Sequence, residues 1–156
     1  LAARLKGESF HTYVMLGDGD SQEGQVWEAA LVAGRYRVDN LTTILDLNGL
    51  QQYGWATEMG YGNLARRPPQ ENPEARWQSF GWNTISIDGH DIEQFIDACN
   101  RAKDEHNGPT IIIAHTTKGK GISYMEDDFN WHSRPVTDDD LKQAREELAA
   151  QEAALA

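Results

Sequence analysis

Residues 12–50 read TYVMLGDGDSQEGQVWEAALVAGRYRVDNLTTILDLNGL, and no other stretch of the chain limits the fold as tightly. An apolar, β-prone run from Tyr13 to Leu16 stops at Gly17-Asp18-Gly19. Val26, Trp27, Ala30, Leu31 and Ala33 then recur at helical spacing. A second strand run, Leu41 to Leu47, ends at Asn48-Gly49-Leu50. Strand, helix and strand in this order predict a βαβ unit, whose crossover is right-handed and whose strands are parallel. Asp18 and Asn48 are thereby expected at the carboxyl ends of two strands, on the edge where open α/β sheets bind ligands.

The residue types at that edge suit a hard divalent cation. Asp18 offers a carboxylate oxygen and Asn48 a neutral amide oxygen. Gly49 lets the chain turn so that the main-chain carbonyl of Leu50 faces the same point. Three protein oxygens leave an octahedral Mg2+ open to diphosphate oxygens and water, with Ca2+ or Mn2+ as substitutes. Gly17 and Gly19 keep side chains away from backbone N–H groups that an anion must approach, and the helix after Ser21 turns its N-terminus to negative charge. Asp18-Gly19-Asp20 also begins like an EF-hand loop. That reading fails because Glu23 stands where the loop needs glycine and Ala29 where it needs the closing carboxylate. On spacing alone, Asp18 and Asn48 read slightly better as turn-forming and capping residues.

The wording of the motifs goes further. GDG followed about thirty residues later by asparagine resembles the thiamine-diphosphate motif. GDGDSQEGQVWEAA with LDLNGLQ resembles the N-terminal, diphosphate-binding part of transketolase, above all the short forms in which that part is a separate subunit. The similarity continues through IDGHDIEQ, HTTKGKGISYME and WHSRP, and so covers nearly the whole chain. The resemblance implies an α/β fold with a parallel sheet flanked by helices, and thiamine diphosphate with Mg2+ as cofactors. It implies transfer of a two-carbon ketol unit from a ketose phosphate to an aldose. It also implies a homo- or hetero-oligomer with a pyrimidine-binding partner subunit. That partner would supply the glutamate which activates the cofactor, so this chain alone is expected to be inactive. 1-Deoxyxylulose-5-phosphate synthase shares the motif and is the close alternative. A non-catalytic assembly fragment that keeps the fold is the distant one.

The resemblance also assigns residues. Asp18, Asn48 and the Leu50 carbonyl are the expected metal ligands. Gly17, Gly19, Lys118 and His132 join them around the cofactor. His132, in WHSRP, is expected near the diphosphate and the reacting carbonyl, although Ser133 stands where the family has glycine; the plain reading is a solvated loop histidine. Glu23 matches a family glutamate near the subunit interface, and equally suits the positive end of a helix. Lys118 and Lys120 can meet phosphates as point charges, while Lys120 reads as well as a solvated lysine. The GKG here lacks the Walker spacing. His115 follows a strand to the same edge, His90 serves a turn and helix cap, and His11 and His106 carry no functional signal.

Composition bounds the rest. A formal net charge of -11 disfavours nucleic acid and anionic membrane as partners. The single cysteine, Cys99, excludes an intrachain disulfide and points to a reducing, cytoplasmic setting. Residues 1–156 are expected to form a single diphosphate- and metal-binding domain. LAARLKGES reads as the last turns of a helix capped by Gly7. The resemblance implies a segment upstream of it, so apolar sheet surface is expected to lie uncovered. The loop after Leu50 departs from the family wording over Gln51–Met59; Tyr53, Trp55 and Tyr61 would line a site or subunit contact there, or merely pack the loop. Further on, a helix is predicted over Pro73–Phe80 and a strand over Trp82–Ile87. A helix over Asp91–Asn107 would place Ile92, Phe95, Ile96 and Cys99 on one face. A buried strand over Thr110–His115 and a helix from Thr137 follow, with an Ala-rich tail from Leu148 that frays or docks.

Overall fold

A computed structural model describes residues 1–51 and 72–155. Tyr53, Trp55 and Tyr61 lie outside the described residues, as does nearly all of the unusual Gln51–Met59 loop. The chain divides into two compact units.

The first unit holds residues 1–47 and the described part of 68–116. Its centre is a four-stranded sheet of β1 (Thr12–Gly17), β2 (Leu41–Leu47), β3 (Asn83–Asp88) and β4 (Thr110–His115). The order is β1-β2-β4-β3 and every pairing is parallel. The helices of this unit are α1 (Ala2–Lys6), α2 (Gly24–Arg35), α3 (Pro73–Ser79) and α4 (Ile92–Asp104). β2 and β4 fall where the sequence predicts them. β4 alternates between two cores, as a strand buried on both faces must. Ile111 and Ile113 join Leu45, Ala30, Trp77 and Trp82 on one side. Ile112 and Ala114 join Ile44, Ile87, Ala98 and Ala102 on the other.

Both long helices of this unit are rotated from the expected apolar faces. In α2, Ala30 and Ala33 are buried while Leu31 is 58% exposed. In α4, Ala98 and Ala102 are buried, Phe95 and Cys99 pack against the core, and Ile92 and Ile96 are 69% and 55% exposed. Small residues spaced i, i+3 or i+4 let a helix lie close to its neighbour, and close approach outweighs a larger side chain that would hold it off. Gly34 carries this furthest: a Cβ there would sit 1.9 Å from the Phe80 carbonyl oxygen. Gly34→Ala must therefore push α2 away from the chain at Phe80. It is expected to cost at least the 1–3 kcal/mol typical of overpacking, read as a lower urea midpoint with unchanged slope.

The edge strand β1 leaves Tyr13, Val14 and Met15 exposed, in line with the expected uncovered sheet surface. At the start of the chain, α1 ends at Gly7 in the left-handed conformation, φ 69°. Arg4 ties this helix down. Its guanidinium donates to the carbonyls of Tyr36 and Arg37 and pairs with Asp39 at 2.6 Å. The hydrogen bond from Arg4 holds the Asp39 carboxyl below the usual carboxylate range. A lowered carboxylate stabilises the fold above its unfolded pKa, and that stabilisation fades as pH falls through the folded value. Arg4→Ala is expected to lose about 1 kcal/mol at pH 7, the upper end for a solvent-screened pair. The deficit should shrink in acid, below the carboxylate range. Denaturant melts of both proteins at the two pH values check this.

The second unit holds the described residues among 48–67 and 117–156. Turns run through residues 117–128, a 3-10 turn covers Phe129–His132, and α5 covers Asp138–Leu155. The Ala-rich tail is thus helical to Leu155. Thr137 and Asp140 form a reciprocal cap ahead of α5: the Asp140 carboxylate accepts from the Thr137 N–H at 2.9 Å, and the Thr137 hydroxyl from the Asp140 N–H at 3.2 Å. No helix among the described residues is long and apolar enough to cross a membrane.

Candidate functional site

The GDGDS turn at the end of β1 is built by hydrogen bonds that converge on its backbone. Asp18 follows β1 directly and is 1% exposed. The Ser21 hydroxyl donates to the Asp18 carbonyl at 2.7 Å, and the Trp27 indole N–H donates to the Ser21 carbonyl at 2.8 Å. Trp27 in turn lies 5.0 Å from the Trp77 ring and 5.4 Å from Phe80, under the Arg76 guanidinium. The core thus reaches the turn through one indole. Burial places the Asp18 carboxylate in a low-dielectric setting, where its attraction for a cation is strengthened.

The two glycines of the turn differ from expectation. The Gly17 N–H donates to the Asp20 carboxylate at 2.8 Å, so a side chain of the turn already occupies the position expected for an anion. Gly19 has φ -64° and ψ -45°, an ordinary right-handed backbone that does not itself demand glycine. Glu23 caps α2 with extended backbone, and its carboxylate accepts from the Gln25 side chain. Placement at the positive end of a helix is the plain reading of Glu23, and the structure agrees with it.

Asn48, the residue after β2, opens the second unit. Its side-chain oxygen accepts from the Leu50 N–H at 3.0 Å across Gly49, whose φ is 73°. This is a local Asx-type turn of the kind expected of asparagine. An amide oxygen has two lone pairs, so accepting this N–H is compatible with ligating a cation. Leu50 is buried and Asn48 half-buried. Among the described residues no three His, Cys, Asp or Glu side chains are grouped to hold a metal. The expected donor set does not need such a group, since it has one carboxylate and two neutral oxygens. That chemistry fits a hard cation completed by the oxygens of an anionic ligand.

In the second unit Lys118 is half-buried, and its carbonyl accepts from the Asp127 N–H at 3.0 Å. Lys120 pairs with Glu126 at 3.7 Å, which supports the solvated reading for that lysine. His132 ends the 3-10 turn with an exposed side chain. Ser133 has φ -137°, a backbone open to any residue, so its departure from the family's glycine brings no strain. His115 Nε2 lies 2.8 Å from the Ser86 hydroxyl in the first unit. His90 serves the Asp88 turn as expected, its N–H donating to the Asp88 carboxylate at 2.9 Å. Gly17, Asp18, Gly19 and Glu23 therefore share the first unit, and Asn48, Leu50, Lys118 and His132 the second.

Sequence reasoning passes over Asp20, Ser21 and Trp27, which shape the Asp18 turn. A signal is present: Asp and Ser three residues beyond Gly17 and Asp18 are the side chains that accept or donate across short turns.

The sequence matches the family model described as transketolase, thiamine diphosphate binding domain, over residues 6–155. Transketolase-like protein 2 of Bos taurus is 42% identical over 132 residues, covering 85% of this chain and 20% of that protein. An apulose-4-phosphate transketolase subunit from Phocaeicola vulgatus is 34% identical over 149 residues, covering 96% of this chain and 50% of that one. The crystal structure of transketolase from Campylobacter jejuni superposes with a TM-score of 0.75 at 32% identity, over 90% of this chain and 21% of that chain. The chain thus spans between 20% and 50% of the length of these proteins.

Proposed function

The chain belongs to the transketolase N-terminal family, the thiamine diphosphate binding domain, and from that premise we propose that it is the diphosphate-binding subunit of a cytoplasmic enzyme that transfers a two-carbon ketol unit from a ketose phosphate to an aldose. Its partner would be a pyrimidine-binding subunit. The Phocaeicola relative, which is one subunit of a divided transketolase, supports that reading. One observation carries the proposal. Buried Asp18 follows β1 and Asn48 follows β2, and these strands are parallel neighbours in register from Thr12–Leu41 to Gly17–Asp46. A ligand at that sheet edge is offered an acid from one strand end and an amide from the next.

In this reading residues 1–156 act as one diphosphate- and metal-binding domain. Asp18, Asn48 and the Leu50 carbonyl hold Mg2+, which neutralises the charge of the diphosphate in a chain that is itself strongly acidic. Ca2+ or Mn2+ would serve through the same preference for oxygen. Because Asp20 occupies the Gly17 N–H, the diphosphate meets this turn through the metal. Gly17 and Gly19 contribute by keeping side chains out of its approach. Lys118 adds a point charge for phosphate. His132 presents an imidazole that can donate to the diphosphate edge or to the substrate carbonyl oxygen. Glu23, at the head of α2, faces the subunit contact and acts from there. Thiamine diphosphate, when bound, supplies the electron sink that lets the ketose C2–C3 bond break.

Calorimetry of the complete assembly tests this. Thiamine diphosphate should bind with Mg2+ present and lose that binding with chelator. Product analysis with xylulose 5-phosphate and ribose 5-phosphate should show two-carbon transfer. Products from pyruvate and glyceraldehyde 3-phosphate instead would assign the chain to the 1-deoxyxylulose-5-phosphate synthase class, and no cofactor binding would leave only an assembly role.

A further inference from the structure

We propose that Arg134 is a positioning residue for His132, working against α5 as a splint; the inference rests on the role given to His132 above. His132 lies between two residues that are each held from outside the turn. On one side the Trp131 indole N–H donates to the Tyr124 carbonyl at 2.9 Å, and the two rings lie 5.2 Å apart. On the other, the Arg134 guanidinium lies over the Trp131 ring, 4.2 Å from its centroid, and reaches both Asp140 carboxylate oxygens at 3.1 Å. The Tyr124 hydroxyl donates to the Asp140 carbonyl at 2.6 Å. Arg134, Asp140, Tyr124 and Trp131 thus close a ring of contacts around the turn that carries His132. The Arg134 N–H, bonded to the Asn130 carbonyl at 3.2 Å, closes the turn itself.

α5 is suited to the part because it is fixed to the same segment at two further points. The Glu147 carboxylate accepts from the Ser123 N–H and hydroxyl, both at 2.7 Å, and the Gln151 amide donates to the Gly121 carbonyl at 2.7 Å. Hydrogen bonds from Thr137, and then the Arg134 charge, hold the Asp140 carboxyl below the usual carboxylate range. Bonds from Ser123 and Gln143 do the same for Glu147. Lowered carboxylates keep these ties above the ordinary carboxylate range and release them only as pH falls through the folded values. Between pH 5 and 9, roughly the span in which an imidazole changes charge, the splint stays closed. An exposed ion pair contributes little to stability by itself. What the planar guanidinium adds is geometry, since it forks onto a carboxylate while lying flat on an indole, which an ammonium cannot do.

The test is a rate cycle in the assembly of this chain with its pyrimidine-binding partner, thiamine diphosphate and Mg2+, together with amide exchange on the 156-residue chain. R134A should lower turnover about 10- to 100-fold, the scale of a catalytic group displaced by about 1 Å, while the affinity for thiamine diphosphate stays near wild type. Amide exchange should quicken at Trp131–Arg134 and not in the sheet. R134K, which folds with the charge kept, should recover little of the rate. The double variant H132A/R134A should be no slower than H132A, within roughly twofold, because Arg134 acts only through His132. A wild-type rate in R134A, full rescue by lysine, or losses that multiply in the double variant would each overturn the proposal. If H132A is slow and R134A is not, the positioning role alone falls. If H132A turns over like wild type, the role given to His132 falls and this inference with it.

Discussion

In Asp18→Ala, Mg2+-dependent binding of thiamine diphosphate is expected to disappear from the complete assembly. Asp18 is the only charged protein ligand in the proposed set, and the other two donors are neutral oxygens. A divalent cation held by one carboxylate, one amide and one carbonyl depends on that single negative charge, the more so because the carboxylate is 1% exposed and little screened. Asn48→Ala is expected to weaken binding without abolishing it, since the Leu50 carbonyl and Asp18 remain. It also removes the oxygen that accepts from the Leu50 N–H, so the carbonyl itself is less well placed. Asp18→Asn separates charge from shape, and its affinity should lie much nearer Asp18→Ala than wild type. Isothermal titration with thiamine diphosphate at fixed Mg2+, for wild type and the three variants, gives the order. Wild-type affinity in Asp18→Ala would falsify the assignment of this strand end as the metal site.

How far the fold is legible follows from what each segment must bury. β2 and β4 are legible to the residue because each is a strand-length run bounded by turn residues, and burial on both faces leaves the pattern no ambiguity. β3 is displaced by one residue from its expected place because Trp82 counts as the first apolar residue of an alternation. In the structure its indole is buried instead and donates to the Ala30 carbonyl at 2.9 Å, ahead of the strand. The faces of α2 and α4 depart from expectation for a different reason. A periodicity argument weights large apolar residues, so Leu31, Ile92 and Ile96 dominate it. Packing selects Ala30, Ala33, Ala98 and Ala102, whose hydrophobic signal is weak but whose size admits close contact.

The site is legible at the level of which residues end which strands, and less so in what the local bonds do. The spacing places Asp18 and Asn48 just beyond neighbouring parallel strands. It does not show that Asp20 takes the Gly17 N–H, because choosing between an external anion and a carboxylate three residues away needs the course of the turn. The Thr137 and Asp140 cap is readable, being a hydroxyl and an acid at the spacing of a capping box. Its link back to Arg134 is not, since the path from Lys118 to Arg134 consists of turns with no period to read.

His132→Ala is expected to lower ketol transfer by about 100- to 10,000-fold, the usual contribution of a general acid or base, while cofactor and metal binding stay near wild type. The separation follows from placement. His132 ends a 3-10 turn well away in sequence from Asp18, Asn48 and Leu50, and its exposed side chain supports no core contact, so its removal should not disturb the fold. A buried residue would not allow that distinction, because a slower enzyme could then simply be a less folded one. His132→Asn divides the two ways an imidazole can act. An amide keeps a donor but has no proton to exchange near neutral pH. If the role is to hold a substrate oxygen, asparagine should recover much of the lost rate and flatten its dependence on pH between about 5 and 8, the span in which imidazoles change charge. If the role is proton transfer, asparagine should recover little. Arg134 and Asp140 do not enter this comparison, since their pairing persists across that range. The measurement is the rate at saturating thiamine diphosphate and Mg2+ for the three proteins across pH. Three equal profiles would make His132 a solvated loop residue and leave the WHSRP segment without a part in the chemistry.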